Sequence, residues 1–109
     1  MNPSPSSILT RHTQPEDFPA IIALSKAVYS FPPYWNETQL ASHLKVFPEG
    51  QFVAIDSTSG TLVGMAASLI IRWDDYDFHG SWKDFTNGGM FTNHDSARGR
   101  TLYGSEIMV

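Results

Sequence analysis

The sequence contains no cysteine among its 109 residues, which excludes disulfides, catalytic thiolates and cysteine-ligated zinc. Its seven Lys and Arg residues do not cluster, and the net charge is −4. A nucleic-acid partner is therefore not expected, because binding to phosphates requires a basic face. The longest apolar stretch, residues 63–71, is too short to span a bilayer, so no membrane partner is expected either. The Pro/Ser-rich start has no apolar leader, which favours a cytoplasmic location.

The overall composition is typical of one globular domain. Hydrophobic residues make up 41% of the chain and aromatic residues 13%, enough to build a core. We expect residues 1–7 to form a disordered tail and residues 8–109 to form a single domain.

Helical signals occur at three places. Thr13 and Glu16 resemble a capping box that opens a helix over residues 15–29. Asn36 and Gln39 form a second N-cap pattern, which opens a helix over residues 37–47. A short helix is expected over residues 81–85.

Strand signals occupy the remaining regular segments. Residues 8–12, 51–56, 61–73 and 101–109 are rich in β-branched and aromatic side chains. Gly64, inside the third of these segments, indicates a bulge or a close approach by another backbone. Residues 74–100 are a long irregular insert, a feature that is often functional. The predicted order is β-α-α-β-β-insert-β.

Three stretches in this order resemble one superfamily. Residues 47–54 (FPEGQFVA), 61–66 (TLVGMA) and 101–109 (TLYGSEIMV) resemble strands two, three and four of GCN5-related N-acetyltransferase (GNAT) domains. Residues 82–90 and 91–95 add a narrower likeness to GNAT-type domains that occur alone or upstream of a carbon–nitrogen hydrolase. The resemblance implies an α+β (α/β layered) fold, the front half of a GNAT domain with a mostly antiparallel sheet and without its C-terminal half.

The resemblance also implies where acetyl-CoA would bind. In the family, the fourth strand leads into a loop of the Arg/Gln-x-x-Gly-x-Gly/Ala type and then a helix, which hold the pyrophosphate. This chain stops where that loop would begin. Arg98, Gly99 and Arg100 match it only superficially, because they precede a strand and Gly104 is wrongly spaced. Acetyl-CoA is the cofactor expected for the parent domain, and we expect the 109 residues alone to bind it poorly.

Family members place a general base on the fourth strand, and the resemblance assigns catalytic roles to Glu106 and Tyr103. Backbone groups of Ile107, Met108 and Val109 would contact the cofactor, and their side chains would be ordinary core. The alternative is a solvated Glu106 and a packed Tyr103 on opposite faces of the strand. A bulge that the sequence does not reveal decides between these arrangements.

An aromatic substrate pocket is a further expectation, with packing over the core as the alternative. Its candidate residues are Tyr29, Phe31, Tyr34, Trp35, Trp73 and Tyr76. No metal site is expected, because the His and Asp residues of the insert lack the spacing of a ligand set. They are Asp74, Asp75, Asp77, His79, His94 and Asp95.

Two functions follow from the sequence. The first is the N-terminal portion of a domain that transfers an acetyl group from acetyl-CoA to a small amine or peptide amine, inactive as this chain alone. The second is a non-catalytic interaction module that completes its sheet as a homo-oligomer.

Overall fold

A computed structural model describes residues 7–77 and 79–109. The predicted tail, residues 1–7, lies outside this part except for Ser7. The described residues form four strands, β1 (Ile8–His12), β2 (Gln51–Asp56), β3 (Leu62–Ile71) and β4 (Thr101–Met108). They also form three α-helices, α1 (Phe18–Val28), α2 (Glu37–Val46) and α3 (Trp82–Thr86). The predicted α+β class is confirmed.

The four strands form one antiparallel sheet in the order β1-β2-β3-β4. Its inner face is marked by alternate residues of β3. Met65, Ala67, Leu69 and Ile71 are buried, each at most 5% exposed. Phe18 and Ile21 of α1 and Leu40 of α2 belong to the same core. The helices therefore cover this face of the sheet.

Two bulges interrupt the sheet. Ala54 pairs with Gly64 and the next residue, Ile55, pairs with Leu62, which leaves Val63 as the extra residue. A Cβ atom on Gly64 would lie 3.2 Å from the carbonyl oxygen of Met108. Both expectations for Gly64, a neighbouring bulge and a close backbone approach, are therefore met. The second bulge lies in β4 and shapes the site described below.

The start of α1 differs from the prediction. Thr13 does not cap it, because Thr13 is buried and its N–H group donates to Gln51 O at 3.0 Å. Gln14 takes the N-cap position instead, and the acidic member of the capping box is Asp17, whose Oδ2 accepts from Gln14 N at 2.8 Å. A 3-10 turn, Pro15–Asp17, precedes the α-helix. Asp17 is selected over Glu16 because Arg11 of β1 binds it through two hydrogen bonds of 2.7 and 2.8 Å.

The other boundaries shift by one or two residues. The Asn36–Gln39 cap of α2 is confirmed, and this helix ends at Val46 rather than Phe47. The helix α3 begins one residue later than predicted because Ser81 is its cap and accepts from Asp84 N. The strand β3 ends at Ile71 because a 3-10 turn, Trp73–Asp75, follows it.

The insert packs against the helices. Phe91 is fully buried. Ser42 of α2 donates to Met90 O at 2.6 Å, and the ring of His43 lies 2.6 Å from Gly89 O through Nε2. These contacts bring α3 and the loop that follows it beside α2 and the end of β4.

Candidate functional site

The bulge in β4 determines which side chains share a face. Ala67 pairs with Glu106 and the next residue, Ser68, pairs with Gly104, so Ser105 is the extra residue. An odd separation along a regular strand would place Tyr103 and Glu106 on opposite faces. The bulge restores them to one face, and both point to the side of the sheet that carries the helices.

The carboxylate of Glu106 is held by two donors. Tyr29, which follows α1, donates its hydroxyl to Oε1 at 2.6 Å. Trp35 donates its indole Nε1–H to the same oxygen at 3.2 Å. Among residues 7–77 and 79–109, no hydrogen bond is made to the other oxygen, Oε2. The carboxylate is therefore oriented through one oxygen.

The loop between α1 and α2 is fixed so that both donors reach Glu106. Ser25 lies fully buried in the last turns of α1. Its backbone carbonyl accepts from Tyr29 N at 3.0 Å, and its hydroxyl accepts from Trp35 N at 3.1 Å. The buried Trp35 ring packs edge-on against His43 and Phe91, at 5.1 and 6.3 Å between ring centres. Its indole nitrogen consequently has a fixed position.

A cleft of about 440 Å3 opens above Glu106. Its volume lies within the range of small-molecule sites. Four predicted pocket residues, Tyr29, Phe31, Tyr34 and Trp35, line it together with Glu106. The remaining lining residues were not expected from the sequence and are Ser25, Pro33, Gln39, Trp82 and Ser105.

Three predicted site residues lie elsewhere. Trp73, Tyr76 and Tyr103 all stack on Phe85 of α3, with ring centres 5.7, 5.1 and 5.1 Å away. None of the three lines the cleft. Tyr103 shares a face with Glu106, but the phenol that contacts this carboxylate belongs to Tyr29.

Trp82 is the residue that sequence reasoning missed most clearly. Its indole Nε1–H donates to the carbonyl oxygen of Ser105, the bulged residue, at 2.9 Å. Its ring lies 5.8 Å from that of Trp35. Trp82 follows directly after the Ser81 cap, and this position at the start of α3 was the one feature of the sequence that could have indicated its role. The insert thus supplies one wall of the cleft and a support for the bulge.

The hydrogen bond to Glu106 has an electrostatic consequence for Tyr29. That bond, together with burial and the carboxylate charge, raises the pKa of Tyr29 to about 12. All three effects oppose ionisation of the phenol. Tyr29 therefore remains protonated at neutral pH and acts as a donor.

The backbone expected to contact a cofactor lies at an edge of the sheet. β4 has β3 on one side and no strand on the other among the described residues. Met108 is core, as expected, but the side chains of Ile107 and Val109 are 78% and 90% exposed. The expectation that all three are core was wrong, because Ile107 points to the opposite face and Val109 lies beyond the strand.

The Arg98-Gly99-Arg100 segment has a structural explanation. Gly99 N donates to Asp95 O at 2.8 Å, and a Cβ atom on Gly99 would lie 2.7 Å from the backbone of Ile71. This glycine therefore permits a turn to pack against β3. It does not open a helix.

Acidic and histidine side chains of the insert form no cluster that could hold a metal within the described residues. His94 Nδ1 accepts from Ile70 N at 2.9 Å and its ring stacks on Phe47, and burial lowers its pKa. Asp95 pairs with Arg98 at 2.7 Å. Over the same residues, no helix has the length and apolar character needed to cross a membrane.

Two known proteins are similar to this chain in sequence. Probable hydrolase YhcX of Bacillus subtilis (strain 168) is 38% identical over 102 residues, which cover 94% of this chain and 19% of that protein. Uncharacterized N-acetyltransferase YkwB of the same organism is 32% identical over 108 residues, 94% of this chain and 46% of that protein. The chain thus spans less than half the length of either relative. No protein-family model matches it.

Solved structures give the same fold. The loading GNATL domain of CurA from Lyngbya majuscula superposes with a TM-score of 0.75 at 17% identity, over 94% of this chain and 48% of that one. The GphF GNAT-like decarboxylase, in complex with isobutyryl-CoA, superposes with a TM-score of 0.69 at 20% identity, over 93% and 48%. The chain therefore has a partial GNAT fold. The similarity to the GNAT superfamily predicted from the sequence is confirmed, and the match to YhcX is compatible with a GNAT-type domain joined to a hydrolase.

Proposed function

We propose that the cleft is the acceptor site of a domain that transfers an acetyl group from acetyl-CoA to a primary amine. The observation that carries the proposal is the carboxylate of Glu106, which lines the cleft and whose Oε2 accepts no hydrogen bond from the described residues. An amine is protonated at neutral pH and must lose a proton before it can attack a carbonyl carbon. Glu106 accepts that proton, directly or through one water.

Tyr29 and Trp35 are positioning residues in this scheme. Both donate to Oε1 of Glu106, which turns Oε2 towards the substrate. The raised pKa of Tyr29 keeps its phenol protonated and unable to serve as the base. The catalytic role that the resemblance assigned to Tyr103 is not part of the proposal, because its ring packs on Phe85 outside the cleft.

The residues of β4 fit the acyl end of the cofactor. The strand lies at an edge of the described sheet, so alternate backbone N–H groups can donate to a ligand laid along it. At the bulge, such donors stabilise the negative charge that develops on the carbonyl oxygen. When bound, acetyl-CoA supplies the thioester carbonyl that the amine attacks. Because the GphF GNAT-like decarboxylase, which has the same fold, was solved in complex with isobutyryl-CoA, isobutyryl-CoA is tested beside acetyl-CoA.

No helix of the described residues begins at a glycine-rich turn that could hold a pyrophosphate. We therefore expect the 109 residues alone to bind acetyl-CoA weakly and to turn over slowly or not at all. The assay uses the full-length natural polypeptide that contains these residues, with the isolated 109 residues measured beside it. Acetyl-CoA and isobutyryl-CoA are supplied in parallel, and release of the CoA thiol is followed in the presence of primary amines.

Glu106→Gln is the decisive variant. It keeps the size of the side chain but cannot accept a proton, and we expect kcat/KM to fall by about 100-fold or more, as for loss of a general base. Glu16→Gln is the matched control, because Glu16 is exposed and lies outside the cleft. A Glu106→Gln variant with the rate of the unaltered protein would contradict the proposal.

A second candidate function is an interaction module that pairs with another copy of itself. The observation that favours it is the outer side of β4, where Leu102 and Ile107 are 64% and 78% exposed. An edge strand can pair antiparallel with its own copy across a two-fold axis. Such pairing would cover both the free backbone groups and part of this apolar surface.

A further inference from the structure

Among the described residues, the cleft is lined by one acidic side chain and by no basic side chain. Of its ten lining residues, Glu106 carries a charge and none is Lys, Arg or His. A ligand that places a positive group at Glu106 gains an ion pair. A ligand that also carries a carboxylate finds no counter-ion among the described lining residues.

Aromatic rings surround this carboxylate. Trp35 and Trp82 lie 5.8 Å apart between ring centres, and Tyr29, Phe31 and Tyr34 complete the wall. Aromatic faces attract ammonium groups, and they bury an apolar ligand body. Phe31 is 81% exposed and Trp82 is 41% exposed, so much ring surface is still free to be covered by a ligand.

We infer that the acceptor is a primary amine with an apolar body and no carboxylate, rather than an amino acid. The inference rests on the proposed function in taking this cleft as the acceptor site. The ammonium group binds at Oε2 of Glu106, and the body of the ligand lies among the rings. An α-amino acid would bring its carboxylate close to Glu106, and the repulsion between like charges would disfavour it.

Four probes separate the contributions of charge and size. Phenethylamine has the ammonium group and an aromatic body. Phenylalanine adds a carboxylate, phenylalaninol replaces that carboxylate with a neutral group of similar size, and 2-phenylethanol lacks the ammonium group. Binding of each to the unaltered protein is measured by calorimetry without any CoA ester. We expect phenethylamine and phenylalaninol to bind at least tenfold more tightly than phenylalanine and 2-phenylethanol.

Variants then test the role assigned to Glu106. Glu106→Gln should weaken phenethylamine about tenfold and leave 2-phenylethanol unchanged, whereas Glu16→Gln should alter neither. The probe series in the unaltered protein remains decisive if Glu106→Gln does not fold. Phenylalanine binding as tightly as phenethylamine, or no binding by any probe, would overturn the inference.

The outcome is distinguishable from failure of the proposed function. Selective binding of phenethylamine without acyl transfer from either CoA ester would remove the transferase proposal and leave the ligand class standing. Acyl transfer to phenylalanine in preference to phenethylamine would support the transferase proposal and overturn the inferred ligand class.

Discussion

Acidification should destabilise this protein through one buried histidine. His43 is 2% exposed, stacks on Phe91 with ring centres 3.6 Å apart, and contacts Gly89 O through Nε2 at 2.6 Å. Burial lowers its pKa from 6.5 to about 4, although the bond to Gly89 O acts in the opposite direction. The folded protein therefore holds His43 in its neutral form.

The sign follows from the proton balance. Between pH 6.5 and 4 the unfolded chain protonates His43 and the folded chain does not, so the free energy of unfolding falls as pH falls. The stability that the neutral His43 ring contributes is fully present above about pH 6.5 and is lost by about pH 4. A pKa lowered from 6.5 to about 4 corresponds to about 3 kcal/mol. That is a large share of the 5–15 kcal/mol that is typical of a domain.

Urea unfolding at a series of pH values from about 7.5 to 4 measures this loss. His43→Gln is the reference, because an amide can still donate to Gly89 O but cannot titrate. His94, whose pKa is also lowered by burial, is present in both proteins, and its contribution cancels in the difference. We expect the unaltered protein to lose about 3 kcal/mol more than the variant over this range.

Equal pH dependence in the two proteins would refute the reasoning. An NMR titration of the His43 ring with a midpoint near its ordinary pKa would refute it independently. Because His43 also packs against Trp35, we expect the cleft to lose its order in the same acidic range.

Two further predictions concern β4. Trp82→Phe removes the indole donor to Ser105 O, so it should lower the free energy of unfolding by about 1 kcal/mol and weaken phenethylamine binding. Trp73→Phe is the control, because Trp73 lies outside the cleft. Equal effects of the two substitutions would contradict the role of Trp82. If the interaction module is the function instead, sedimentation at high micromolar concentration should show a dimer that Ile107→Lys dissociates, and a monomeric unaltered protein would exclude pairing through β4.

The strands and the main helices were predictable because they depend on local patterns. β1 and β2 have the predicted bounds, and Asn36 caps α2 as expected from its spacing to Gln39. The capping box before α1 was predicted one residue early because two acids, Glu16 and Asp17, compete for the same role. Arg11, on another element, decides between them.

The aromatic residues show the limit of such reasoning. Composition indicated a pocket or a packed cluster, and the protein contains both. Tyr29 and Trp35 reach Glu106 across at least 70 intervening residues, whereas Trp73, Tyr76 and Tyr103 gather around Phe85. Residue type could not assign each ring to one group, because the assignment depends on how the insert packs.

The sequence by itself determined the order of elements and the resemblance to the GNAT superfamily, since these follow from short-range patterns and motifs, and through that resemblance it predicted a role for Glu106. Only the tertiary structure decided which residues accompany Glu106. The extra residue at Ser105 reverses the alternation of β4 and turns Glu106 towards the helices. A bulge is a property of two paired strands, and no single segment encodes it.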